Sequence, residues 1–257
     1  MQVKFKDTPI HYSTAGSGEA VVLLHGFLES REIWEPFIPE FSNYGQVVSI
    51  DLPGHGQSGC IEEVHHMEVM AEAVNAVLEK LELQKCDFIG HSMGGYVLLA
   101  FLEKYPEKVK DVMLLNSHPK EDSEEKKDVR ERSIEVVKRN KKTYIDMAIS
   151  NLLTPENDKK FVPEVQQLKE KAYNFKTAGI TAALKGMKVR KDRTDVLINF
   201  NNTKVIVAGK EDPIIEVSWI EQIAKDCKSR FFVLPGGHLS YLESEEEFRN
   251  LCISSKK

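Results

Sequence analysis

Hydrophobic and polar positions change rhythm twice along the chain. Alternation over residues 3–5 and 10–13 predicts two half-exposed strands, followed by a turn at Ala15-Gly16-Ser17-Gly18. Residues 20–24 (AVVLL) are continuously apolar, as expected of a strand buried on both faces, and residues 47–50 repeat that pattern. Apolar positions at helical spacing predict a short helix over 33–41 and a long one over 64–83, where Val69, Ala73, Val77 and Leu81 recur every four residues. A strand over 86–89, a helix over 96–104 stopped near Pro106 and a strand over 109–115 continue the alternation.

The rhythm then breaks. From His118 to about Asn199 nothing reads as a strand. Asp122 and Glu125 predict a capping box that opens a helix running through Arg139. Further helices are predicted over 144–152, 165–175 and 180–189. Afterwards the alternation returns as strand 204–208, helix 217–225, strand 230–234 and helix 245–253. Buried strands alternating with helices predict an α/β fold with a mostly parallel sheet. The helical block is inserted between strands, not appended. The expected division is a core of residues 1–118 and 197–257, with a helical cap or lid over 119–196.

Composition narrows the class. The 257 residues are 41% hydrophobic and 29% charged, an ordinary globular balance that allows one sizeable core. A net charge of −5 argues against general affinity for nucleic acid. The charge is uneven, because residues 119–196 hold 19 Lys and Arg against 14 Asp and Glu. This reads first as a solvated helical surface, and second as a lobe that attracts an anionic substrate. Cys60, Cys86, Cys227 and Cys252 form no C-x-x-C pair, which fits reduced thiols. Residues 1–5 lead straight into a strand pattern without a signal-peptide core, and no apolar run approaches membrane-spanning length. A cytoplasmic protein without a membrane partner is expected.

Chemistry enters at the ends of the predicted strands. Gly90-x-Ser92-x-Gly94 lies between a strand and a helix, where a sharp bend lifts a serine hydroxyl clear of the backbone. A serine needs a base to take its proton, and the base needs an orienting carboxylate. Asp212 follows strand 204–208 and His238 follows strand 230–234, in the chain order serine, acid, histidine. Each alone could be an ordinary loop residue, with Glu211 as a rival acid. The oxyanion formed on attack requires backbone N–H donors, expected from Met93 and from Phe27 after His25-Gly26. His25, His55 and His91 read as packing or loop-fixing residues. His118, where the helical block begins, and Leu239, beside His238, are weaker candidates for lining the substrate pocket, with packing as the other reading. No metal-ligand spacing or nucleotide-binding glycine motif is present, so no cofactor is expected.

His25-Gly26-Phe27, Asp51-Leu52-Pro53-Gly54-His55-Gly56-Gln57-Ser58, Gly90-His91-Ser92-Met93-Gly94-Gly95, Gly209-x-x-Asp212 and Gly237-His238 together resemble the α/β-hydrolase superfamily. The likeness is to small single-chain members with a helical cap, and it covers the chain outside the cap. It implies a Ser-His-Asp hydrolase acting on a small acyl substrate. Esterases, enol-lactonases, carbon–carbon bond hydrolases and a cofactor-free lyase share these motifs, as do hydrolase-derived ligand receptors. In the haloalkane dehalogenase and epoxide hydrolase branches the nucleophile position holds aspartate, whereas this chain has Ser92.

Overall fold

A computed structural model describes residues 1–254 of the chain. Eight strands form one sheet: β1 (Gln2–Phe5), β2 (Thr8–Ala15), β3 (Ala20–Leu24), β4 (Gln46–Ile50), β5 (Cys86–His91), β6 (Val109–Leu115), β7 (Lys204–Gly209) and β8 (Arg230–Leu234). Their spatial order is β1-β2-β4-β3-β5-β6-β7-β8. The β1–β2 and β2–β4 pairs are antiparallel, and every other pair is parallel. Hence the expected α/β class is present, with the apolar runs β3 and β7 buried throughout.

The helices are α1 (Ile38–Phe41), α2 (Met67–Lys80), α3 (Met93–Lys104), α4 (Glu124–Arg139), α5 (Lys141–Ser150), α6 (Pro155–Lys160), α7 (Val162–Tyr173), α8 (Thr177–Lys188), α9 (Thr194–Asn199), α10 (Val217–Asp226), α11 (Ser240–Glu243) and α12 (Glu245–Ser254). The single helix expected over 33–41 is instead a 3₁₀ segment, Arg31–Phe37, running into α1. Pro36 and Pro39 cannot supply the N–H groups a continuous α-ladder requires. The turn still buries its apolar side. Trp34 and Phe37 pack against Phe248 of α12, with ring centroids 6.3 and 5.1 Å apart.

Helices α4 to α9 all lie between β6 and β7 in the chain. The expected capping box is absent from α4. Ser123 is its N-cap, accepting from Lys126 N, while Asp122 is buried between Arg130 and Arg190. Charge pairing thus outcompetes capping for that carboxylate. The two stems of the insertion are clasped together. Arg193 N–H donates to the Pro119 carbonyl at 2.8 Å, Arg190 Nε to the Lys120 carbonyl at 3.1 Å, and Lys120 pairs with Asp192 at 3.4 Å.

The insertion also touches the core directly. His65 N–H donates to Ala182 O at 3.0 Å, and His238 N–H donates to Leu152 O at 3.0 Å. Among the described residues, no helix is long and apolar enough to cross a membrane.

Candidate active site

The sheet delivers its chemistry at the carboxyl ends of parallel strands, where open α/β folds hold their ligands. Ser92 stands between β5 and α3 at φ 49°, ψ −114°, a left-handed backbone that an L-residue adopts only under constraint. The constraint is local. Ser92 N–H donates to Leu115 O at 2.9 Å, and Ser117 Oγ donates to Ser92 O at 2.8 Å. A side chain at Gly90 would put its Cβ 2.6 Å from Gly94 O, and one at Gly94 would approach Leu24 O to 2.4 Å. Only glycines let the bend close against β3.

His238, in the loop after β8, places Nε2 2.9 Å from Ser92 Oγ. Its Nδ1 lies 2.8 Å from Asp212 Oδ2, in the loop after β7. The structure therefore brings together Ser92, Asp212 and His238, whereas Glu211 is exposed. Burial alone would raise the Asp212 carboxyl. The His238 imidazole, the Asn116 side-chain amide and the Ile214 N–H more than offset this and hold it below the ordinary aspartate range. Asn116 Nδ2 lies 3.0 Å from Asp212 Oδ2 and 3.2 Å from the Gly237 carbonyl. The remaining carboxylate oxygen accepts from Ile214 and Ile215 N–H at 2.8 and 3.0 Å.

A second buried network stands behind this one. Glu29 accepts from Gly26 N–H at 2.6 Å, from Tyr241 Oη at 3.0 Å and from His91 Nδ1 at 2.9 Å. Three donors on one side chain fit an ionised carboxylate. His91 Nε2 faces the His238 carbonyl at 2.9 Å, so both ring nitrogens meet acceptor oxygens and both must donate. His91 is thereby an imidazolium. Burial opposes that charge, but Glu29 and the His238 carbonyl lift the His91 pKa above its usual value. His25 is different: its Nδ1 donates to Gly26 O at 2.7 Å and its Nε2 accepts from Leu52 N–H at 2.9 Å, which fixes a neutral ring. Burial lowers its pKa accordingly.

Met93 is the first residue of α3, so its N–H lacks an intrahelical partner and sits at the positive end of the helix dipole. Phe27 follows Gly26, whose N–H is held by Glu29. Phe27, Ser92 and His238 line one cleft with about 960 Å³ of open space, together with Arg130, Tyr144 and Met147 from the helical insertion. His118 and Leu239 are placed elsewhere. Leu239 is fully buried under the His238 loop. His118 is buried against Tyr96 and lines a neighbouring cleft with Trp219.

Glu29, Asn116 and Tyr241 were not evident as site residues from the sequence. The available signals were a carboxylate two residues past Phe27 and an asparagine immediately after an apolar strand. Among the described residues, no cluster of three or more His, Cys, Asp or Glu side chains is arranged to hold a metal.

Residues 19–245 match the family model described as alpha/beta hydrolase fold. A 111-residue segment, 42% of the chain, is 37% identical to bifunctional epoxide hydrolase 2 of Sus scrofa and spans 20% of that protein. A 106-residue segment, 41% of the chain, is 34% identical to the (E)-2-((N-methylformamido)methylene)succinate hydrolase of Acinetobacter baylyi and spans 40% of it. Among solved structures, a thermophilic esterase from Thermogutta terrifontis superposes with a TM-score of 0.91 at 29% identity, covering 96% of this chain and 92% of that one. The enol-lactonase from Burkholderia xenovorans shares the fold, with a TM-score of 0.92 at 17% identity over 99% of this chain and 98% of that one.

Proposed function

The chain belongs to the alpha/beta hydrolase fold family, and from that membership we propose that it is a serine hydrolase of small acyl substrates, with Ser92 as nucleophile. The observation that carries this reading is the unbroken hydrogen-bonded line from Ser92 Oγ through His238 to Asp212, with steps of 2.9 and 2.8 Å. His238 takes the hydroxyl proton at Nε2 as Ser92 Oγ bonds to the acyl carbonyl carbon. Asp212 stabilises the resulting imidazolium through Nδ1–H. Backbone N–H groups of Phe27 and Met93 receive the oxyanion, aided by the dipole of α3. Collapse expels the leaving group, which takes the proton from His238. A water, deprotonated by the same ring, then releases the acid and restores Ser92.

Helices α4 to α8 act in this reading as a cap that shapes the cleft. The likeness to an esterase at 29% identity over nearly the whole chain supports ester hydrolysis. The epoxide hydrolase likeness spans less than half of the chain, and Ser92 stands where that branch carries aspartate. The relative named as a hydrolase of an N-methylformamido succinate derivative keeps amide hydrolysis as a second reading.

Labelling by a fluorophosphonate and turnover of p-nitrophenyl acetate test the proposal. Wild-type protein should do both and Ser92→Ala neither. Unlabelled wild-type protein, or a fully active Ser92→Ala variant, overturns it.

A further inference from the structure

Arg130 lines the cleft that holds Ser92, and its carboxylate partner is shared with a second arginine. Asp122 is completely buried and is shared by two guanidiniums. Arg130 binds it through Nε, with Nη2 at 3.3 Å from the other oxygen, and Arg190 reaches it through Nη1 at 2.6 Å. Among the described residues, neither arginine pairs with a second carboxylate. Lys126, one helical turn before Arg130 on α4, adds a third cation and lies 6.0 Å over the Trp219 ring. Two guanidiniums therefore share one carboxylate, with Lys126 one turn away on the same helix as Arg130.

The two arginines are not equivalent. Arg190 is locked in place: its side chain is 2% exposed, its Cζ lies 4.0 Å from the Tyr96 ring centroid, and it donates to the Met187 and Lys120 carbonyls. Even so, its Nη2 is buried without a partner among the described residues. Arg130 is 20% exposed and lines the cleft that contains Ser92 and His238. Arg190 already satisfies much of the charge on Asp122, so Asp122 holds Arg130 in orientation without cancelling the site's net charge. A fixed guanidinium in a partly desolvated wall is a fork for a planar anion.

We infer that Arg130 is a specificity residue that binds a carboxylate carried by the acyl substrate itself, so that the protein favours monoesters of dicarboxylic acids. Asp122 and Arg190 form the buried frame that aims it. Lys126 lies instead in the adjoining cleft with Glu121 and Glu216, which meets the first at Ile214, so Arg130 is the cation offered to a substrate beside Ser92. The basic excess of residues 119–196 thus has a directed component at the cleft wall in addition to its solvated surface. The inference rests on the serine hydrolase reading for its assay, but its binding arm does not.

The test compares mono-p-nitrophenyl glutarate and adipate with the corresponding ω-amides, which match them in shape and lack the charge. Wild-type protein should show a kcat/KM ratio of acid over amide of about tenfold or more for at least one pair. That ratio should shrink several-fold at about 0.5 M salt, because the charge on Arg130 is partly exposed. Arg130→Gln should bring the ratio close to one, and Arg130→Lys should restore part of it. A wild-type ratio near or below one for both pairs overturns the inference, whether or not the variants fold. If no ester is turned over, the hydrolase reading fails separately. In that case thermal stabilisation of the wild-type protein by glutarate but not glutaramide supports the carboxylate site, and equal or absent stabilisation overturns it.

Discussion

His91 Nε2 lies 2.9 Å from the backbone carbonyl of His238, so the residue preceding Ser92 holds the loop that carries the histidine bonded to Ser92 Oγ. The contact joins positions 147 residues apart in the chain. Because the other nitrogen of His91 is committed to Glu29, one buried imidazolium connects three loops of the site. They are the Gly26–Phe27 loop through Glu29, the β5–α3 bend through the backbone of His91 itself, and the His238 loop.

Removing one member of that pair leaves the other charged in an apolar interior. His91→Leu should lower unfolding free energy by about 3–5 kcal/mol. Glu29→Gln in the same chain should recover a substantial part, because the stranded carboxylate is then gone. Urea unfolding of the two single variants and the double variant gives the coupling. Strictly additive losses are incompatible with an ion pair between these side chains.

Strain at Ser92 makes a separate prediction. Alanine at position 92 keeps the left-handed backbone and its penalty, whereas glycine adopts it freely. Ser92→Gly should therefore be more stable than Ser92→Ala by about 1 kcal/mol, with both inactive towards esters. Equal midpoints in thermal unfolding would show that the bend carries no strain.

Asp212 ties stability to pH. Its carboxyl is held below the ordinary aspartate range, so the folded chain stays ionised where the unfolded chain has already bound a proton. The stabilisation is complete above about pH 4 and is lost as pH falls towards the folded-state value. Acidification from about pH 7 to about pH 3 should therefore lower the melting temperature of wild type more than that of Asp212→Asn. At neutral pH the same variant should lose on the order of 10⁴-fold in kcat, since His238 loses its orienting charge. Parallel melting curves across that pH range would count against the shift.

Asp122 and Glu124 are two positions apart, but their substitutions should differ sharply. Asp122→Asn strips the counter-charge from two guanidiniums, one of them 2% exposed, and should destabilise by about 3–5 kcal/mol. Glu124 pairs with Lys127 at 2.8 Å in open solvent with its side chain 89% exposed. Glu124→Gln should leave the melting curve unmoved. A mild Asp122→Asn phenotype would mean that the buried cluster is not held by its charges.

Legibility in the sequence tracked how local each determinant is. Strands β6 and β8 match their expected bounds to the residue because valine and phenylalanine favour strands, even though β6 includes Lys110 and Asp111 and only Leu234 of β8 is buried. Strand β2 runs two residues further at each end than its alternation suggested. Its flanking residues gain lateral partners, including Thr14, whose hydroxyl accepts from Gln46 Nε2 at 3.0 Å. The helix expected over 64–83 begins only at Met67, because His66 has an extended ψ of 143° and stands as its N-cap. Helices α6 and α9 are six-residue segments with too few apolar positions to display a period.

The same logic separates the site residues. Ser92, Asp212 and His238 each stand in a short motif at a strand end. Glu29, Asn116 and Tyr241 gain their roles from partners 62, 96 and 212 residues away, and no local pattern encodes such a meeting.

The clasp at the base of the helical insertion has an evolutionary reading. Pro119 and Arg193 are hydrogen-bonded to each other, so the chain leaves the sheet domain and returns to it through a single seam. A segment excised at that seam could be bridged by a few residues, and a different one spliced in, without moving any strand. The wall of the cleft is in this sense a module joined at one seam but keyed to the sheet through Leu152 and Ala182, so a replacement would also have to supply a carbonyl for the His238 N–H.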